Sequence, residues 1–166
     1  MCKSRSFLLL ISAIFLIGST DNHKSLMHIT SESSEYNYKN NETSFEGHVV
    51  VDQGTTHLTA DRVITHKNAQ NKIQEAIAYG TQPLAHYWTE PKNGEKILHA
   101  HAKIMKIYPL ESRVILEGDV LVTQGENRFQ GQIIVYNIKQ QTIIVPPTKN
   151  SRATFVIETD QVKQAL

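Results

Sequence analysis

From His28 onward, apolar residues recur at alternate positions in short runs, as at Val49 and Val51 and again at Leu58 and Ala60. A period of two is that of a β-strand with one buried face. Gly47, Gly54, Gly80, Gly118 and Gly125 punctuate these runs, and Asn93-Gly94 within PKNGEK is a turn signal, because both residues tolerate positive φ. Helical spacing is not sustained after the first twenty residues, so the pattern predicts an all-β chain. At about 5 to 6 residues per strand the length holds roughly ten to sixteen strands, and so large a sheet must curl, close or fold over on itself.

One phrase occurs twice. FEGHVVVDQG, residues 45–54, returns as LEGDVLVTQG, residues 116–125. Around it, residues 28–71 lie over 99–142 at a constant offset without a gap, with Phe45 over Leu116, Val49 over Val120, Val51 over Val122, Leu58 over Phe129, and Val63-Ile64 over Ile134-Val135. Shared inward positions in one register imply two copies of a supersecondary unit. Between the copies, KIQEAIAYGTQPLAHYWTEPKNGEKIL reads as two strands and a hairpin; beyond Pro146-Pro147, ATFVIE offers a last strand before a polar tail at 159–166. A repeat of this kind ends in unpaired edge strands, which accept a strand from another molecule unless protected.

Alternation assigns an inward set of Phe45, Val49, Val51, Leu58, Ile64, Leu84, Trp88, Ile107, Leu116, Val120, Val122, Phe129, Ile133 and Val135, with His48, Asp52, Asp119 and Thr123 outward. By alternation alone, such a set either fills a closed core or walls an apolar trough.

The N-terminus changes the picture of where the chain works. Lys3 and Arg5 precede an apolar run from Phe7 to Ile17, followed by Gly18, Ser19 and Thr20, the order of a secretory signal. The run is shorter than the roughly 20 residues that cross a bilayer, so 1–20 is read as a signal peptide cleaved near residues 19–20, followed by a polar leader at 21–27 and one domain at 28–158. Cys2, the single cysteine, leaves with the signal, which excludes disulfides, a cysteine nucleophile and thiolate metal sites from the exported chain. Loss of Lys3 and Arg5 leaves fifteen basic residues against sixteen acidic ones, with no concentrated basic face for nucleic acid.

Candidate chemistry is sparse. His99-x-His101 places two imidazoles on one face of a strand, where they could chelate a metal, and with Gly94 and Gly118 around them the stretch brushes the cupin metal motif. The glycine-to-histidine gap is one residue short of that motif, Met105 and Lys106 stand where it wants a glutamate, and no third ligand is apparent, so no metal ligand set or cofactor is assigned. A cupin-like periplasmic metalloenzyme built on His99 and His101 is the alternative reading. No G-x-S-x-G elbow and no G-x-x-x-x-G-K-[ST] phosphate loop occurs, and Asp61-Arg62 and Glu46/Glu117 read as surface charges, not as an acid/base pair.

The segments HITSESSEYNYKNNETSFEGHVVVDQGTTHLTADRVI and HAHAKIMKIYPLESRVILEGDVLVTQGENRFQGQIIVYNIKQQT, with AYGTQPLAHY and SRATFVIE, resemble the LptA family, the OstA-like periplasmic lipopolysaccharide-transport proteins. The likeness spans about His28 to Glu158; Gln132, where family members commonly carry an acidic residue, and Pro146-Pro147 depart from it. The resemblance implies an all-β, twisted, open-ended β-jellyroll of about 14–16 short antiparallel strands. It implies a non-enzymatic periplasmic carrier that shields the lipid A acyl chains of lipopolysaccharide in an apolar groove. It also implies head-to-tail self-association by β-strand pairing and links to inner-membrane LptC-like and outer-membrane LptD-like proteins. Physical chemistry sets the need for such a carrier: an acyl chain of about a dozen methylenes left in water costs on the order of 10 kcal/mol.

Overall fold

The computed structural model describes residues 26–90, 96–137, 139–140, 142–148 and 152–158; the stretches read above as a signal peptide, as the Asn93-Gly94 turn and as a polar C-terminal tail lie outside them. Twelve antiparallel strands form a single hydrogen-bonded sheet. In chain order they are β1 (Met27–Thr30), β2 (Ser33–Asn37), β3 (Glu42–Gln53), β4 (Thr56–Lys67), β5 (Ile73–Tyr79), β6 (Ala85–Thr89), β7 (Leu98–Ala102), β8 (Ile104–Tyr108), β9 (Arg113–Gln124), β10 (Asn127–Asn137), β11 (Thr142–Ile144) and β12 (Thr154–Val156). The one helical element among the described residues is a 3₁₀ turn at Pro109–Glu111.

The sheet is folded in two along a line of bulges. β3, β4, β9 and β10 are long, and each gives one arm to either layer. One layer runs β1, 49–53 of β3, 56–60 of β4, β6, β7, 120–124 of β9, 127–131 of β10, and β12. The other runs β2, 42–46 of β3, 62–67 of β4, β5, β8, 113–117 of β9, 133–137 of β10, and β11. The twelve strands therefore supply sixteen segments, eight per layer, so a strand estimate of about 14–16 corresponds to arms. The repeated E-G-x-V bends β3 and β9 without breaking them. At the bend, Gly47 and His48 take φ of 81° and 44°, and Gly118 and Asp119 take 76° and 51°. A left-handed backbone favours glycine there, and a Cβ at Gly118 would press to 3.0 Å on the Lys103 side chain.

The duplication is structural as well as textual. Ile29↔Val51, Ser34↔Phe45 and Phe45↔Val63 in the first half recur as Ala100↔Val122, Met105↔Leu116 and Leu116↔Ile134 in the second. Leu58↔Tyr87 and Ile64↔Ile77 recur as Phe129↔Phe155 and Val135↔Ile144. Hence β1–β6 and β7–β12 are two copies of a six-strand unit. They join where β6 pairs β7 and β5 pairs β8.

Val49, Val63, Ala78, Ala85, Tyr87, Leu98, Met105, Val114, Val120, Ile134 and Tyr136 are buried between the layers, with Ile29, Phe45, Val51, Ala60, Phe129, Ile143 and Val145 packed against them. Among the described residues the buried polar side chains are Thr65, Thr89, Gln124 and Asn127, none of them charged.

Candidate functional site

The space between the layers is where the fold brings the inward residues of both copies together. Its free cavity is lined by Tyr87, Leu98, Ala100 and Val122 from one layer and Met105, Ile107, Val114, Leu116, Ile134, Tyr136 and Ile143 from the other. At about 40 Å³, the cavity admits only a few water-sized spheres, so of the closed core and the apolar trough that alternation left open, this state is nearer the first, and the groove implied by the resemblance is largely closed. Closure follows from the lining: apolar walls facing each other across a water-filled slot gain by excluding the water. Burial raises the pKa of Tyr136.

Of the fourteen residues that alternation turned inward, nine project between the layers: Val49, Leu58, Ile107, Leu116, Val120 and Val122 are buried, and Phe45, Val51 and Phe129 pack against the core. The other five do not. Ile64, Ile133 and Val135 stand on the outer face, opposite Ile77, Glu117 and Ile115 respectively. The cause is a register shift at each fold line. Phe45↔Val63 and Val49↔Ala60 are both inward pairs, so β4 takes three steps where β3 takes four, and the inward set passes from Leu58 and Ala60 to Val63 and Thr65. β10 repeats this, passing from Phe129 and Gly131 to Ile134 and Tyr136. An odd step moves every later side chain to the opposite face. Trp88 also faces outward, because its neighbour Tyr87 is the inward residue. Leu84 sits off the strands, in a bridge with Thr81.

Leu98, Ala100, Met105 and Tyr87 line the cavity but escaped the sequence reading. Their signal was present for the first strand pair: in AHYWT and LHAHA every second residue is buried, and Tyr87, Leu98 and Ala100 alternate with histidine or tryptophan; Met105 alternates likewise with Ile104 and Lys106 in IMKIY.

The outer face is held by charges and rings. Lys103 Nζ reaches Asp119 at 2.7 Å, Lys106 Nζ reaches Glu117 at 2.8 Å, and Arg62 Nε reaches Glu46 at 3.0 Å. These pairs engage Lys103, Lys106 and Arg62 with carboxylates. His99 and His101 also face outward, where His86 joins them across the β6–β7 pair. His99 bonds His86, while His101 lies flat against the His86 ring, so the i, i+2 pair does not converge. Among the described residues no group of three or more His, Cys, Asp or Glu is placed to hold a metal ion.

The two ends of the sheet are open. β1 and β2 form one edge, β11 and β12 the other. Exposed large apolar side chains gather there: Leu26, Met27, Tyr36 and Tyr38 at the first edge, and Ile144, Phe155, Val156 and Ile157 at the second.

Residues 28–142 match the family model described as the LptA/(LptD N-terminal domain) LPS transport protein. Lipopolysaccharide export system protein LptA of Escherichia coli K12 is 27% identical over 153 residues, covering 92% of this chain and 80% of that protein. LptH of Pseudomonas aeruginosa is 26% identical over 126 residues, covering 76% and 71%. The crystal structure of LptH, described as the LptA-homologous periplasmic component of the lipopolysaccharide transport device of Pseudomonas aeruginosa, superposes with a TM-score of 0.70 at 24% identity, covering 81% of this chain and 96% of that one. The cupin-like alternative finds no support in these matches. A duplicated, folded sheet with an apolar interior and a family match over most of its length place the chain in the LptA/LptD N-terminal-domain family of lipopolysaccharide transport proteins.

Proposed function

We propose that this chain is a non-enzymatic periplasmic carrier that holds the acyl chains of lipopolysaccharide between its two layers, and that copies join end to end into a bridge between the membranes. The observation that carries this reading is the apolar lining shared by both layers, from Tyr87 to Met105 and Leu116. Because the cavity is nearly closed, lipid entry requires the layers to part. Transfer of about a dozen methylenes out of water, on the order of 10 kcal/mol, is available to drive that. A photo-crosslinker at Leu116 or Met105 is expected to capture lipopolysaccharide in cells, and one at Ile64 or Asp52 is not. Equal capture by both sets would overturn the carrier reading.

The internal joint between the two copies supplies a template for the joint between molecules. Within the chain Tyr87 pairs Ala100 and Ile77 pairs Lys106. Carried to the free edges by the repeat, that register sets Phe155 on β12 opposite Ile29 of the next molecule, and Ile144 on β11 opposite its Glu35. Because the family model groups LptA with the N-terminal domain of LptD, the same joint suits either a second copy or a related outer-membrane domain, and an LptC-like inner-membrane domain would use the opposite edge. Cys2, the single cysteine, lies in the segment read as a signal peptide, so in a chain processed near residues 19–20 the pair Phe155→Cys with Ile29→Cys should yield intermolecular disulfide ladders. The shifted pair Val156→Cys with Ile29→Cys should not; ladders from the shifted pair alone would refute the register.

A further inference from the structure

The fold line closes one long side of the sheet, and the hairpin ends of the strands form the lips of the other side. In the layer of β2, β5 and β8, the lip is made by the connections that follow β2, β4, β8 and β10. The inner rows of the first repeat change character on the way to this lip. Along β4 the inward residues run Val63, Thr65 and Lys67, apolar near the fold line, hydroxyl midway and cationic at the lip; along β3, Thr43 follows Phe45. The second repeat has no such gradient: Ile134, Tyr136 and Ile138 lie over the three positions of β4, Val114 over Thr43 and Leu110 over Lys39. We propose that Lys39, Lys67 and Lys72 form a subsite, confined to the first repeat, for the phosphate group of an acylated lipid whose chains enter between the layers.

Charge is the first ground. Among the described residues Arg62, Lys96, Lys103, Lys106 and Arg113 each meet a carboxylate, whereas Lys39, Lys67 and Lys72 meet none. The acids on the adjoining strands face outward and are engaged, Glu42 with His66 and Asn40, and Glu75 with the other nitrogen of His66. The lysines stand on neighbouring connections. The Lys67 amide donates to the Asn41 carbonyl at 3.0 Å, and the Lys72 amide donates to the Asn68 side chain in the next turn. The facing lip carries Glu90 and Glu126, both exposed, so a phosphate is drawn to one lip and repelled by the other. Reach is the second ground. Thr65 pairs Ala76 and Ala76 pairs Ile107, so the cavity wall at Ile107 lies two strands, about 10 Å, from Thr65. That is within the span of one lipid. The third ground is an aromatic pair at the same lip. Tyr36 and Tyr38 meet edge to face at 4.6 Å, Tyr38 is 85% exposed, and the Tyr36 hydroxyl donates to Asn41 in the turn that holds Lys39. Rings with an apolar body and a polar tip suit the level at which a headgroup meets its fatty chains.

The inference rests on the carrier reading, and the experiment separates the two. The exported chain is titrated with lipid A and with the same lipid stripped of phosphate, by displacement of a fluorescent fatty acid at low ionic strength. The parent should bind the phosphorylated lipid about tenfold more tightly, as three exposed ion pairs of ordinary strength would together give, and added salt should shrink the difference. Lys39→Gln with Lys67→Gln and Lys72→Gln should abolish that preference and leave affinity for the stripped lipid unchanged. Lys103→Gln with Lys106→Gln, on the outer face, should keep it. A parent without the preference, or a triple variant that retains it, would refute the subsite. Inorganic phosphate titrated alone should not bind at millimolar concentration; saturable binding that the triple variant loses would assign the lysines to a free anion and overturn the headgroup assignment. A parent that takes up neither lipid would bring down the carrier reading itself.

Discussion

Met105→Ala separates a carrier from a closed sandwich, because the two readings assign it opposite consequences for lipid. Met105 is 2% exposed and lines the cavity between the layers. Truncating a buried methionine to alanine costs about 2–5 kcal/mol, from lost transfer energy and the cavity left behind. For a domain of this size that lowers the melting temperature by about 6–15 °C. The void has the volume of about three methylenes, and an acyl chain that filled it would recover about 2 kcal/mol, some thirtyfold in affinity. The carrier reading therefore expects a variant that melts earlier alone, binds lipopolysaccharide more tightly, and regains more of its melting temperature on adding lipid than the parent does. Thermal melts with and without lipopolysaccharide, beside an equilibrium binding assay, measure both effects. A variant that loses affinity in step with stability, or whose affinity is unchanged, would show that acyl chains do not enter between the layers at this depth.

Three further outcomes follow from particular groups. Because the pKa of His86 falls from 6.5 to about 4 on folding, the unfolded chain binds more protons between those values. Stability is therefore full above about pH 6.5 and declines as pH drops towards 4, by on the order of 1 kcal/mol after screening of these partly exposed rings; urea midpoints across that range should flatten in His86→Gln. At Gly80 a Cβ would fall on the backbone of Ala85, so Gly80→Ala should cost about 3 kcal/mol in denaturant unfolding, against less than about 0.5 kcal/mol for Thr81→Ser in the exposed turn beside it. Ile144→Lys with Phe155→Lys places charge on the free edge and should reduce self-association measured by sedimentation without lowering the melting temperature of the monomer by more than a few degrees.

The legible part of the fold was the part written in period two. The gapless overlay of 28–71 on 99–142 is the pairing of β1–β4 with β7–β10, down to the twin bends at Gly47 and Gly118. What a two-period reading cannot carry is a change of face inside a strand. Leu58 predicts Ile64 on the same side, and Phe129 predicts Ile133 and Val135, unless the odd step across Asp61-Arg62 and across Gln132 is known in advance. The reading also preferred the larger ring at Tyr87-Trp88, although tryptophan, flanked by histidines, packs on the outside, and tyrosine fills the core. The histidine contacts were illegible for another reason: His86 and His99 meet only because β6 and β7 pair in one register, and the Asn93-Gly94 signal between those strands points to a hairpin without fixing that register.

Duplication explains why one chain can be both a folded unit and an extensible one. The internal joint sets Trp88 opposite His99 and His86 opposite His101 on its outer side, and Tyr87 opposite Ala100 on its inner side. The same register at the ends would set Val156 opposite His28 and Thr154 opposite Thr30, with Phe155 opposite Ile29. On the inner side Phe155 would face Ile29 as Tyr87 faces Ala100, so at that point an acyl chain passing from one molecule to the next would meet apolar side chains, and each methylene kept out of water there contributes about 0.8 kcal/mol. The outer row differs. Stacked rings, each pair contributing about 0.5–1.5 kcal/mol beyond its buried area, brace the joint inside the chain and would be missing from the proposed joint between chains. The internal seam would thereby be the stronger of the two, and a bridge of the proposed kind, pulled apart, would separate between molecules before any molecule opened along its own middle.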